Sequence, residues 1–180
     1  MTILEGEWLQ PRLVMIEFPS RAAAEDWYNR RPVAPETIMG LALPAESQSL
    51  WNTIRRDAIR VAAAEPVLAP WMHEAIINHD DLAGALAQLI AVAVGGNSEE
   101  KAATRRLAER AYREDPVLIG IATRDLRAPL DRDPACPGAL HVLLHFKGYI
   151  ALQAYRISHR LWENGRNELA HELHSRITQA

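Results

Sequence analysis

The residues of this chain best suited to chemistry lie between Asp131 and His145. Asp131-Arg132-Asp133-Pro134 sets two carboxylates around an arginine, and Pro134 pushes Asp133 out of the helical region. Carboxylates at the C-terminal end of a helix face the negative pole of its dipole, which costs roughly a few tenths of a kcal/mol. Such a placement fits a carboxylate held out to receive a substrate ammonium. It also fits an Asx turn, in which Asp133 accepts from nearby backbone N–H groups and Arg132 pairs with an acid. On the residues alone, the turn is the better reading. His141 and His145 stand one helical turn apart and could face one metal ion. Without a carboxylate or third ligand beside them they make a poor zinc site, so they read as packing or solvent-facing residues and no metal site is expected. His159, beside Arg160, reads as structural. Cys136 has no adjacent base or cation to make it a thiolate, so it is expected as a small buried residue after the turn. Arg105, Arg106, Arg110 and Arg113 are interleaved with glutamates, the pattern of a solvated face and not of a phosphate or nucleic-acid site. GxGxxG, the Walker loop, HExxH and GxSxG do not occur.

The element that must position these groups is the stretch from Gly138 to Gly165, which the spacing predicts as one long helix. Pro137 stands ahead of it and Gly165 at its end, where a left-handed cap is expected. Leu143, Phe146, Ile150, Ala154, Ile157 and Leu161 recur at helical spacing as one face. Leu144, Gly148, Ala151, Tyr155, Ser158 and Trp162 form a second face, and Gln153, Arg156, Arg160 and Glu163 a polar strip. Apolar over so much of its girth, this helix belongs among other helices. Gly148 inside it costs about 1 kcal/mol relative to alanine, and close approach of another helix is the expected reason.

Five further helices lead up to it and one follows. Ser49 is expected to cap the first, with Leu50, Ile54, Ala58 and Val61, ending before Pro66. Pro66 opens a second with Leu68, Trp71, Met72, Ala75 and Ile76. Asp80 or Asp81 caps a third from Leu82 to Val94, stopped by Gly95-Gly96. A fourth starts at Ser98, with Glu99 and Glu100 at its positive end. Asp115-Pro116 opens a fifth that runs to about Leu130, and Arg166 to Ile177 is the last. Earlier in the chain the pattern changes. Leu13 to Phe18 reads as a β-strand, Ser20 caps a short helix from Arg21 to Asn29, and Pro32, Pro35, Gly40 and Pro44 mark a linker. The expected organisation is therefore an appendage with linker over residues 1–46 and a helical domain over residues 47–180.

The 180 residues suffice for one domain plus an appendage. A net charge of −3 without a basic cluster argues against a nucleic-acid partner. No segment approaches the roughly 18 consecutive apolar residues of a membrane span, and the start, MTILEGEWLQPR, lacks the pattern of a secretory signal. The single cysteine cannot form an internal disulfide, so a cytoplasmic, soluble protein is expected.

KGYIALQAYRISHRLWENGR, residues 147–166, closely resembles the KGFxALQAYRIxHxLWxxGR signature of bacterial and plant serine O-acetyltransferases. Asp131 to Ala135 is similar to that family's RDPA, and the likeness extends through the helical pattern from about Leu50. The resemblance implies an all-α fold, the multi-helix N-terminal domain of serine acetyltransferase type, here with a short α+β-like appendage. It implies transfer of an acetyl group from acetyl-CoA to the hydroxyl of L-serine, giving O-acetylserine for cysteine biosynthesis. It reverses the reading of Asp133, whose counterpart helps bind the amino group of L-serine. In the family the general-base histidine and the acetyl-CoA groove lie in a hexapeptide-repeat β-helix, beginning with something like VDIHPAA, and no such pattern follows His174-Ser175-Arg176 here. No catalytic residue can therefore be assigned, no cofactor is expected to bind this chain, and little activity is expected from it alone. The resemblance further implies a homo-oligomer, in the family a hexamer built as a dimer of trimers through this domain, and O-acetylserine sulfhydrylase as a partner of the full enzyme. Trp51, Trp71 and Trp162 fit a surface that meets other copies, or ordinary core burial. Two alternatives stay open, a chain that needs a separate catalytic part and a stand-alone helical oligomerisation or regulatory protein derived from that enzyme. GEW…RLVMIEFPSRAAAEDWYN also looks like the second half of a small ferredoxin-like α+β domain that dimerises into a barrel.

Overall fold

The computed structural model describes residues 44–178. The expected strand from Leu13, the helix from Arg21 and most of the proline-rich linker lie outside the described residues. Among the described residues the structure is helical throughout, with no strand. Helix α1 spans Pro44–Ala64, so it opens at a proline within the expected linker, well before Ser49. Proline is well placed at a helix start because its missing N–H would be unpaired there anyway. Glu46 in the first turn complements the dipole.

After Glu65 the chain passes through a tight 3₁₀ turn, Pro66–Leu68, then α2, Ala69–Met72, then a wide π turn, His73–Ile77. One continuous helix was the expectation. Pro70 removes a donor from the middle of the segment, and Asn78 N–H closes the wide turn on His73 O at 3.1 Å. Met72, Ala75 and Ile76 are buried as the pattern requires, whereas Trp71 is 39% exposed.

Helix α3, Leu82–Val94, is capped by Asp81, whose Oδ1 accepts from Gly84 N–H at 2.9 Å. Its buried residues, Leu82, Ala85, Leu86, Ala87, Ile90, Ala91 and Val94, cover most of its girth, which marks it as an interior helix. Its main neighbour is α4, Ser98–Glu114, capped by Asn97 through Glu100 N–H at 3.0 Å. Small side chains on both, such as Ala87 and Ala108, are almost fully buried.

Helix α5, Val117–Arg132, is followed by α6, Ala139–His145, α7, Lys147–Glu163, and α8, Asn167–Ile177. The long helix expected from Gly138 to Gly165 is thus two helices broken at Phe146. Phe146 takes φ −86° and ψ 87°, donating back to Val142 O at 3.1 Å and accepting from Tyr149 N–H at 2.9 Å. The break rotates α7 relative to α6, so both bury an apolar face. Gly148 sits in the first turn of α7, and a Cβ there would meet nothing within 4 Å. Among the described residues, no other helix approaches Gly148 closely. Gly165 behaves as expected. At φ +72° it lets Gly165 N–H reach Trp162 O and Arg166 N–H reach Leu161 O, both at 2.9 Å, a Schellman closure.

The first apolar face of α7 is in the core, with Ala154, Ile157 and Leu161 buried. The second splits, because Ser158 is buried while Tyr155 and Trp162 are about half exposed. Trp51 is core, so the three tryptophans do not form one surface.

Leu143→Ala should cost about 2–5 kcal/mol, since the side chain is fully buried and leaves a cavity. Trp162→Ala should cost no more than about 1 kcal/mol, the worth of an aromatic contact with His171. Urea midpoints for both variants check the assignment, and equal losses would contradict the placement of these faces.

Candidate functional site

The site is built where α5 ends. Pro129 lies in the last turn of α5, and Asp133 N–H still bonds to Pro129 O at 2.9 Å. Asp133 itself leaves the helix at φ −115° and ψ 103°, the extended geometry that a following proline imposes. Its Oδ1 then accepts from Ala135 N–H at 2.9 Å, and Cys136 N–H bonds to Asp133 O at 3.0 Å. Asp133 thus forms the Asx turn, and the whole run from Asp131 to Ala135 is exposed. The turn and the functional reading are compatible. Oδ1 is held by the backbone, and among the described residues no donor meets Oδ2. The carboxylate is oriented and retains an oxygen able to accept from a cation. Arg132, expected to pair with an acid, has no ion pair among the described residues. Cys136 is half-buried against the core.

Beside the turn lies a shallow cleft of about 450 Å³, walled by Pro129 and Arg132 on α5 and by Phe146, Tyr149 and Leu152 across from them. Asp125, which also lines the cleft, belongs to a polar cluster. Arg156 on α7 donates to Asp125 Oδ2 on α5, Gln153 Nε2 donates to the same oxygen at 3.2 Å, and Arg156 donates to Gln153 Oε1 at 3.0 Å. Asp125 and Arg156 are each about one quarter exposed, and Gln153 is almost fully buried. A second ion pair, Arg160 with Asp115, ties α7 to the turn just ahead of α5, and Asp115 Oδ1 also accepts from Val117 N–H at 3.2 Å. The polar strip of α7 is therefore the seam against α5. Its signal in the sequence was a set of polar residues interrupting an otherwise apolar helix, but nothing there named Asp125 or Asp115 as partners.

Tyr149 closes this seam, its hydroxyl donating to Ala122 O at 3.1 Å. Burial holds the Tyr149 phenol well above the usual tyrosine range, Tyr112 and Asp125 add to that, and Arg156 partly offsets it. Burial likewise raises Tyr112, against a smaller opposing effect of Arg156. Among the described residues the buried Tyr112 hydroxyl meets no hydrogen-bond partner.

His141 and His145 pack ring to ring at 4.6 Å, with Phe146 and Trp71 against them. Among the described residues no group of three or more His, Cys, Asp or Glu stands close enough to share a metal ion. His159 stacks on Tyr155 and lies 3.7 Å from Glu163. No described helix is long and apolar enough to cross a membrane.

Asp133→Asn should leave stability within about 0.5 kcal/mol, because the amide oxygen can still accept from Ala135 N–H. Asp125→Ala should cost about 3 kcal/mol, because it strands Arg156 and Gln153 in a partly buried seam. Chemical denaturation of the two variants separates these roles. Both tyrosines have raised folded-state pKa values, so their contribution is fully present below the unfolded tyrosine pKa of about 10 and is lost as pH rises above it. Alkaline unfolding should therefore coincide with the appearance of tyrosinate absorbance, and Tyr149→Phe should weaken that dependence.

Comparison with known proteins matches this architecture. Residues 50–154 match the family described as serine acetyltransferase, N-terminal, and residues 1–32 match a domain of unknown function (DUF1330). The chain is 38% identical over 133 residues to the serine acetyltransferase of Escherichia coli K12, covering 74% of this chain and 49% of that protein. It is 37% identical over 134 residues to serine acetyltransferase 5 of Arabidopsis thaliana, covering 74% of this chain and 43% of the relative. Soybean serine acetyltransferase complexed with serine superposes with a TM-score of 0.72 at 36% identity, over 76% of this chain and 56% of that one. A serine acetyltransferase in complex with CoA superposes with a TM-score of 0.72 at 36% identity, over 74% of this chain and 57% of that one. The chain spans about half the length of the curated relatives it matches. With its helical fold, the turn at Asp133 and this match through both, the chain belongs to the serine acetyltransferase family.

Proposed function

We propose that residues 47–180 act as the helical domain of serine O-acetyltransfer, in which acetyl-CoA and L-serine give O-acetylserine for cysteine biosynthesis. Asp133 supplies one wall of the serine pocket, its free oxygen accepting from the substrate ammonium. The general-base histidine and the coenzyme groove belong to the β-helix that family members carry. There the base takes the serine hydroxyl proton, the oxygen attacks the thioester carbonyl, and the CoA thiolate leaves. Residues 1–180 by themselves then have negligible acetyltransferase activity. The observation that carries this reading is the family match running through the helical body, together with solved relatives bound to serine and to CoA. Residues 1–46 are a separate appendage, supported by two family matches that fall on either side of the proline-rich interval. The protein works in the cytoplasm, a reading supported by its single cysteine, as a homo-oligomer of the family's kind. O-acetylserine sulfhydrylase is a partner of the complete enzyme.

The half-exposed Tyr155 and Trp162 favour a second reading, a stand-alone helical oligomerisation or regulatory protein that joins full-length subunits. A thiol-release assay on the chain alone, and on a full-length serine acetyltransferase whose helical domain is replaced by residues 47–178, tests the first reading. The chain alone should be silent and the chimera active, and Asp133→Asn in the chimera should raise KM for serine about ten-fold or more while the fold persists. An unchanged KM removes Asp133 from the pocket. Light scattering of the chain with and without full-length enzyme tests the second reading, which a monomer indifferent to the enzyme would sink.

A further inference from the structure

A groove away from the Asp133 turn runs between α4 and the corner formed by α7 and α8. Two clefts make it up, and they share Leu107, Arg110 and Arg166. Along α4 the groove extends from Glu100 to Glu114, about 20 Å at helical rise. The floor of the cleft against α8 is apolar, with Leu107 on α4 and Leu169 and Leu173 on α8, and the cleft toward Asp115 is more polar. At each of its two ends one arginine is paired with two carboxylates. Arg176 pairs with Glu172 and Glu100 at one end, and Arg160 pairs with Asp115 and Glu163 at the other. The centre is not matched. Arg110 pairs with Glu114, but Arg106 and Arg166 have no carboxylate partner among the described residues, and both are exposed. On a chain of net charge −3, this puts a local positive charge over an apolar trough.

We propose that this groove is a docking site for an extended, acidic and apolar peptide segment of a partner protein. Carboxylates of the segment would meet Arg106 and Arg166, whose planar forks suit carboxylate recognition. Alternate apolar side chains would lie on Leu107, Leu169 and Leu173. The length selects a peptide over a small anion, since about 20 Å accommodates roughly six extended residues. The excess of carboxylates at the two ends selects a ligand whose negative charge sits in its middle.

Fluorescence anisotropy on the full chain tests the proposal, with a labelled octapeptide as probe that alternates leucine with a polar residue, glutamate at the central polar positions and serine at the outer ones. The acidic probe should bind, with an affinity that falls as salt rises, and its lysine–leucine counterpart should not. Arg106→Glu combined with Arg166→Glu should weaken binding about ten-fold or more. Arg113→Glu, an exposed change on α4 outside the groove lining, should leave binding unchanged. Arg106→Gln with Arg166→Gln gives the intermediate case without added repulsion. Absence of binding, equal binding of the lysine counterpart, or indifference to the arginine changes would each overturn the site. Displacement of the probe by free glutamate at comparable concentration would also overturn it, because the groove would then be a small-anion pocket.

Discussion

Arg156 cannot lie against α5 unless a carboxylate faces it, and the rest of the domain follows from that requirement. Packing two helices buries whatever lies on the seam, and a guanidinium there loses water that only a charged, well-oriented acceptor can replace. Asp125 is that acceptor, and Gln153 binds both partners. Arg160 and Asp115 repeat the arrangement about one turn further along α7. Two charged contacts, one on α5 and one in the turn ahead of it, fix the rotation and register of α7 in a way that leucine packing alone would not. Apolar faces tolerate sliding and substitution, whereas a stranded buried charge does not.

The break at Phe146 is the consequence for the chain before α7. Helix α6 must bury Ala139, Leu140, Val142 and Leu143, and α7 must bring Gln153 and Arg156 to α5 while burying Ala154 and Ile157. A single straight helix has one rotation and cannot meet both demands. One residue with non-helical ψ resets the phase. That same reset places Phe146 and Tyr149 beside Pro129 and Arg132, so the cleft next to the Asp133 turn is a by-product of how α7 is seated.

The helices themselves were legible because periodicity, proline and capping residues agree. Asp81, the Gly95 stop and the Gly165 closure sit where the residue types put them. The Asx turn at Asp133 was legible for the same local reason, since Asp followed two residues later by a free N–H is a short-range event. The Phe146 break was not legible, because Phe146 fits the apolar spacing on both sides and nothing nearby breaks a helix. The partners of Gln153, Arg156 and Arg160 were not legible either. A polar strip looks the same whether it faces water or an acid far away in sequence, and Asp125 is separated from Arg156 by most of two helices and a loop. The role of Gly148 was misread because a mid-helix glycine and a first-turn glycine are indistinguishable until the break is known. A substrate for Asp133 is implied by resemblance alone.

Its exposure then constrains how that carboxylate can work. An ion pair between an exposed carboxylate and an ammonium in water is worth about 0–1 kcal/mol, too little to hold a small amino acid at useful concentration. The Asx turn removes the orientational cost for one oxygen, but it leaves the solvent in place. For Asp133 to bind serine with selectivity, a second wall must cover the turn and exclude water, so that the same pair acts in a lower effective dielectric. The helical domain can therefore pre-orient the carboxylate and no more. Any depth such a pocket had would come from whatever packs over residues 131 to 135.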